Sequence, residues 1–353
     1  MFLFVLTGAI LQFLKERKRK GNNKIRLGDL TVIIPFRDEE NRIKRILNSY
    51  KNSLKTPAEI IFVNDHSSDK TVNLIKQHLR KIPFQIIQLN KDENGKKTAI
   101  QKGVLHSKKT FILTQDADIE FSSNYFSNLE KINQDNLIIL PVIFQTKKII
   151  NTDVVLANAL NYSATGFSRP ILASGANLLF KKEHYINYSE IDSHKHLASG
   201  DDIFLLNAFL KNKLSVFLCT DKKVAVKTNS EKTLKSILRQ RARWISKTKH
   251  VNDLYAIILA IIQMIISSIY PILIIYGLIE LKLVDLALFI LIKIFIDQVT
   301  LGLYFIRLRL IKEFLFLPFY SIIHPFYSLL ILINSMQLKQ EWKGREIFNS
   351  KSL

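Results

Sequence analysis

The sequence holds a single cysteine, Cys219, in 353 residues. One thiol cannot close an internal disulfide, so a disulfide-stapled scaffold is excluded and a reducing compartment is expected. Cys219 ends the apolar run Leu214-Ser-Val-Phe-Leu-Cys219, the setting of a buried structural thiol. Acid is scarce too: 30 Asp and Glu stand against 51 Lys and Arg, a formal net charge of +21. That imbalance points to an anionic partner, whether nucleic acid, an acidic membrane face or a phosphorylated substrate. No internal repeat, low-complexity segment or long linker appears. The length suits one large catalytic domain with a smaller appended module.

Charge is missing altogether between Leu254 and Ile279, a stretch long enough to cross a bilayer. Two further apolar segments follow, at residues 286–305 and 314–336, and three in succession read as membrane. Pro318 and Pro325 leave open whether the third crosses or breaks into a re-entrant hairpin. The N-terminal apolar stretch, residues 1–14, is short for a span and is followed, not preceded, by Lys15-Glu-Arg-Lys-Arg-Lys20. It therefore reads as a marginal span, an interfacial anchor or the remnant of a longer one, and not as a signal peptide. Basic residues crowd residues 15–26, 239–249 and the 307–312 loop, so the positive-inside rule places the middle domain and that loop in the cytoplasm, and a multi-pass cell-membrane protein is expected. Basic residues at membrane edges, without an interleaved aromatic groove, argue against nucleic acid as the partner. Within the second segment, Lys293 and Asp297 are spaced i,i+4 and can neutralise one another. The expected division is an anchor and basic flank at 1–27, a catalytic domain at 28–250, transmembrane helices at 251–338 and a polar tail at 339–353.

The middle of the chain alternates short apolar runs with helical periodicity. Strands are expected at residues 31–35, 59–63, 84–89 and 110–114, with helices at 39–54, from Asp69 and from Lys96. Apolar strands separated by helices imply an α/β fold with a mostly parallel sheet covered on both faces. Ligands of such sheets bind beyond the carboxyl ends of the strands. Three polar motifs sit there: Pro35-Phe-Arg-Asp-Glu-Glu40, Asn64-Asp-His-Ser-Ser-Asp69 and Gln115-Asp-Ala-Asp118.

Asp116 and Asp118 are hard oxygen ligands suited to Mg2+ or Mn2+ bridging a diphosphate, although an isolated Asp-x-Asp is also an ordinary polar turn. Asp65 can accept a base N–H or a ribose hydroxyl, whereas Asp69 suits the cap of the following helix. Asn94-Gly-Lys-Lys-Thr98 superficially resembles a phosphate loop, but Asn90 replaces its upstream glycine, which excludes that mode of ATP hydrolysis. Lys96 at a helix start either meets an anionic nucleotide or faces solvent. In Ser199-Gly-Asp-Asp-Ile-Phe-Leu-Leu206, one acid suits a cap and the other a general base. Gln240, Arg243 and Trp244 share a helix face, apt for phosphate and for a sugar or lipid; the plainer reading is a juxtamembrane belt, which accounts well for Arg239 and Arg241.

In this order the motifs resemble those of the family 2 glycosyltransferases, inverting enzymes with a GT-A fold, over about residues 30–250. The resemblance implies a nucleotide-sugar donor contacted by the Pro35, Arg37 and Glu39 loop, by Asp65 at the base and by Lys96. It implies ribose or metal contact for Asp116 and metal contact for Asp118. Asp202 matches the general base that deprotonates the acceptor hydroxyl, and Asp201 stands where the family has Glu. Gln240, Arg243 and Trp244 match QxxRW, which implies donor contact for the first two, with Arg243 at the diphosphate, and places Trp244 near the acceptor. The tail Glu341-Trp-Lys-Gly-Arg345 is similar to that of members that glycosylate lipids. The expected acceptor is a hydroxyl of a lipid, lipid-linked or saccharide molecule, with membrane proximity favouring the lipid; the alternatives are a processive polysaccharide synthase, a nucleotidyltransferase or a non-catalytic membrane scaffold.

Overall fold

A computed structural model describes residues 2–19, 21–145, 152–189, 200–231, 233–248, 253–337, 341–342 and 345–346. In chain order the main elements are α1 (Phe2–Lys18), β1 (Leu30–Phe36), α2 (Lys44–Lys51), β2 (Glu59–Asn64), α3 (Thr71–His78), β3 (Gln85–Gln88), α4 (Lys96–His106) and β4 (Phe111–Gln115). They continue with α5 (Tyr125–Leu129), β5 (Leu137–Ile139), β6 (Val142–Gln145), α6 (Thr152–Phe167), β7 (Asn177–Lys181), α7 (Lys182–Tyr188), α8 (Asp201–Lys211), β8 (Val216–Leu218) and β9 (Val226–Asn229). The last helices are α9 (Leu234–Thr248), α10 (Leu254–Ile279), α11 (Leu283–Arg307) and α12 (Ile311–Gln337). By contact they form two compact units: one holds α1, α6 and α9–α12, the other the strands and the remaining helices.

The second unit is built on a seven-stranded sheet of order β3-β2-β1-β4-β7-β5-β8. Its ladders are parallel except where β7 runs antiparallel to β4 and β5. This is the mostly parallel sheet expected from the apolar runs. Its register aligns Ile60, Val32, Leu113, Leu179, Ile138 and Phe217 in one row across six strands. That row packs against Ile46, Leu47 and Tyr50 of α2, Ile75 of α3, and Tyr125, Phe126 and Leu129 of α5. On the opposite face Ile33 meets α4 at Gly103. Burying both faces removes the polar alternation that a one-sided sheet would show. Strand order reverses between β1 and β4, so the crevice beyond their carboxyl ends is a topological switch point, where doubly wound sheets bind ligands.

In the first unit, α10, α11 and α12 have 26, 25 and 27 residues and are long and apolar enough to cross a membrane. α12 runs unbroken through Pro318 and Pro325, so the hairpin alternative does not arise. Lys293 and Asp297 form the expected pair on α11. α1 packs on α6 at very short range: a Cβ on Gly166 would fall 1.8 Å from the Gly8 carbonyl oxygen. Only glycine permits that approach. Lys15 Nζ completes the junction by donating to the Gly166 carbonyl at 2.7 Å.

Candidate active site

The loops after β1 and β2 are locked together by hydrogen bonds from main-chain N–H groups to side-chain oxygens. Asp38 N–H donates to Ser67 Oγ at 3.1 Å, and Ser68 N–H returns a bond to Asp38 Oδ1 at 2.8 Å. Glu39 N–H donates to Thr71 Oγ1 at 2.9 Å, and Glu40 N–H to Asp69 Oδ2 at 2.9 Å. Asp69 also accepts from Thr71 N–H at 3.0 Å, but the N-cap position of α3 is Lys70, so Asp69 braces the helix start from one residue outside the expected cap. α2 begins at Lys44 and not at residue 39 as the periodicity suggested: residues 40–43 form turns, with the Arg42 and Ile43 N–H groups both donating to the Glu39 carbonyl. Pro35 is buried near the end of β1, and the ladder to β4 stops two residues earlier, at Ile33 with Thr114. The missing proline N–H thus costs that ladder nothing. Arg37 Nε lies 3.6 Å from Asp38 Oδ2, and Glu39, 8% exposed, is 2.7 Å from Arg42 Nε.

Asp65 is 2% exposed and accepts the Gly95 N–H at 3.1 Å, tying the end of β2 to the start of α4. Lys96 is the first residue of that helix, as its spacing suggested.

The end of β4 is fixed by buried polar contacts. Tyr50 O–H donates to Gln115 Oε1 at 2.8 Å, and Tyr125 O–H to Asn177 Oδ1 at 2.6 Å. Asn177 Nδ2 donates in turn to the carbonyls of Pro141 and Val224, at 2.9 and 3.0 Å. Burial without water makes such bonds costly to lose, which holds the following acids in place.

The two acids beyond this anchor meet different cations. Asp116 Oδ1 is 2.7 Å from Lys96 Nζ, which also lies 3.6 Å from Asp201 Oδ2. Lys96 therefore does not face solvent alone. Burial opposes its charge, but Asp116 and Asp201 outweigh that and raise its pKa above the ordinary lysine value. Asp118 is 3.9 Å from Arg42 Nη1. Its pKa is pushed up to about 6, first by burial and then by the charges of Asp116 and Glu39, with Arg42 pulling the other way.

α8 contributes the second acidic pair, Asp201 and Asp202, in its first turn. Ser199 of that motif lies outside the described residues. Asp202 accepts from Ile203 N–H at 2.8 Å and from Gly175 N–H at 3.3 Å. Asp201 is turned toward Lys96. Gly175 and Arg42 were not singled out in the sequence; both act through partners distant along the chain or through spacing that any polar turn shares.

Gln240, Arg243 and Trp244 lie on α9, in the other compact unit. There the residue between them dominates. Arg241 is 4% exposed and grips Asp153 through Nε at 2.5 Å and Nη2 at 3.1 Å. Its Nη1 donates to Gln240 Oε1 at 2.5 Å, and its Cζ lies 4.4 Å from the Trp244 ring centre. The belt reading of Arg241 is thus corrected: a buried carboxylate partner draws it inward, away from any headgroup. Burial raises the pKa of Asp153, and Arg241 opposes the shift.

Among the described residues no three His, Cys, Asp or Glu side chains cluster as a protein-only metal cage. The chemistry of the donor set still fits a divalent ion. Asp118 feels the repulsion of Asp116 and Glu39, which a dication would relieve. Magnesium commonly takes only one or two carboxylates and draws its remaining oxygens from substrate phosphates and water.

Residues 31–184 match the family model described as Glycosyl transferase family 2. The chain is 35% identical over 111 residues to the dolichyl-phosphate beta-glucosyltransferase ALG5A of Trichomonas vaginalis, covering 29% of this chain and 34% of that one. It is 32% identical over 108 residues to a 4,4'-diaponeurosporenoate glycosyltransferase of Staphylococcus aureus, covering 31% and 28%. The chain thus spans about a third of the length of these curated relatives. A solved mannosyltransferase from Pyrobaculum calidifontis, in complex with GDP-Man and Mn2+, superposes at a TM-score of 0.47 with 14% identity, over 70% of this chain and 73% of that one.

Proposed function

We propose that the chain, whose residues 31–184 match the glycosyl transferase family 2 model, is a membrane-bound inverting glycosyltransferase that moves a sugar from a UDP-sugar to a hydroxyl of a lipid or lipid-linked acceptor. The observation that carries this reading is the gathering of Asp116, Lys96 and Asp201 within salt-bridge distance beside Asp202, at the carboxyl edge of the sheet. A donor acid and a base acid then flank one reacting centre.

Each residue has a role in a single displacement. Asp65 and the loop of Pro35, Arg37 and Glu39 shape the nucleoside seat, and Lys96 and Asp116 stand beside the diphosphate and ribose. The Asp202 carboxylate takes the acceptor proton as the acceptor oxygen bonds to the anomeric carbon. The bond from that carbon to the diphosphate oxygen breaks, its electron pair leaves with the nucleoside diphosphate, and configuration inverts. The resemblance to QxxRW assigns Arg243 and Gln240 to the departing diphosphate and Trp244 to the acceptor side. Asp118, with Asp116, would hold a Mg2+ or Mn2+ ion, which would supply charge neutralisation at that diphosphate.

The relatives are named for dolichyl phosphate and diaponeurosporenoate, which supports a lipid acceptor. α9 ends six residues before α10 begins, which supports an acceptor delivered from the membrane. The basic loops support a cytoplasmic catalytic domain in the cell membrane. The test is a panel of UDP- and GDP-sugars, offered to the purified chain with membrane lipid extract and read by mass. A hexose or N-acetylhexosamine increment on a lipid is expected from one UDP-sugar. No increment from any donor, with the chain folded, counts against the reading.

A further inference from the structure

Gly175 has neither a positive φ nor a place in any motif, yet three site residues converge on it. A Cβ built there would lie 2.6 Å from Asp201 Oδ2 and 3.3 Å from Lys96 Nζ. Its N–H donates to Asp202 Oδ2 at 3.3 Å. The register explains the meeting: Gln115 of β4 pairs with Asn177 of antiparallel β7, so the residues leading into β7 lie alongside those leaving β4. A Cβ here would have to displace the Asp201 carboxylate, whereas the backbone conformation makes no demand for glycine.

We infer that Gly175 is a positioning residue of the transfer reaction: its missing side chain seats Asp201 against Lys96, and its N–H holds the neighbouring base Asp202. The inference rests on the proposed function. Lys96 joins Asp116, on the donor side, to Asp201, on the base side, at 2.7 and 3.6 Å. Asp201 is short, so its carboxylate reaches Lys96, at 3.6 Å, only with the start of α8 close to it. A glycine at 175 makes room for that approach. Within this inference, a side chain at 175 pushes the Asp201 carboxylate away from Lys96 and disturbs its chain neighbour Asp202. Misplacing a reacting group by about 1 Å costs on the order of 100-fold in rate.

The experiment compares wild type, Gly175→Ala, Asp201→Asn and the double variant, using the UDP-sugar and lipid extract that the wild type turns over. Transfer kcat and donor KM are measured, with manganese-dependent UDP binding reporting the fold of each protein. Expected are a fall in kcat of about 10-fold or more for each single variant and a donor KM within about threefold of wild type. The double variant should lose no more than the worse single, because both changes unseat one carboxylate. A Gly175→Ala kcat within twofold of wild type, or losses that multiply in the double variant, overturns the inference. If Gly175→Ala does not fold, Asp201→Asn decides: a merely structural helix start accepts Asn, and an unchanged kcat overturns the inference. A wild-type chain that transfers no sugar overturns the functional reading, and this inference with it. An active wild type with unaffected variants overturns the inference alone.

Discussion

Lys96 Nζ stands 2.7 Å from Asp116 Oδ1 and so spans the gap between the strand that carries the donor acids and the helix that carries the base. Its charge is sustained by carboxylates despite burial. Lys96→Met should leave Asp116 and Asp201 repelling one another and cut transfer by about 100-fold. Lys96→Arg, with a planar fork in place of a compact ammonium, should recover only part of that loss. Steady-state rates of the two variants check this; equal rates in Met and Arg would show that charge at this position is irrelevant.

Asp118 gives the site a pH dependence of known sign. With its folded pKa pushed up to about 6, the carboxylate is protonated below that value. Manganese affinity should therefore fall as pH drops through 6, followed by calorimetry between pH 5 and 8. Stability runs the other way. A raised carboxyl pKa means that the folded state holds its proton more tightly, so stability declines as pH rises from about 4 to 6 and the penalty is complete above it. Without metal, Asp118→Asn should raise Tm by several degrees at pH 7.5, and the gain should vanish near pH 4.

The Arg241 and Asp153 pair is buried, and breaking it strands a charge. Arg241→Met or Asp153→Leu alone should destabilise the folded protein by about 3–5 kcal/mol. The double variant should recover much of this, since an apolar pair removes both charges together. Thermal unfolding in detergent measures it, and additive losses would contradict the pairing.

Strand ends were legible because β1, β2 and β4 are continuous apolar runs stopped by Asp65, Asp116 and the Arg37 loop. α4 was legible from Gly95 and Lys96. β5 and β8, three residues each, are too short to carry periodicity, and antiparallel β7 has no local mark of its direction. Gly175 owes its place to Asp201 and Lys96, 26 and 79 positions away, and no window along the chain joins them. Spacing put Gln240, Arg243 and Trp244 on one face, but it could not show that Arg241 has a buried carboxylate waiting in α6.

The assignment of Asp202 as the base is tested most directly by measuring sugar transfer and UDP-sugar binding side by side in wild type and Asp202→Asn. Asn keeps the shape and one of the two acceptor oxygens that receive Ile203 N–H and Gly175 N–H, but cannot take a proton. Donor affinity should stay within about threefold while transfer falls by roughly 100-fold or more. Equal transfer by the two proteins would contradict the assignment and the displacement built on it.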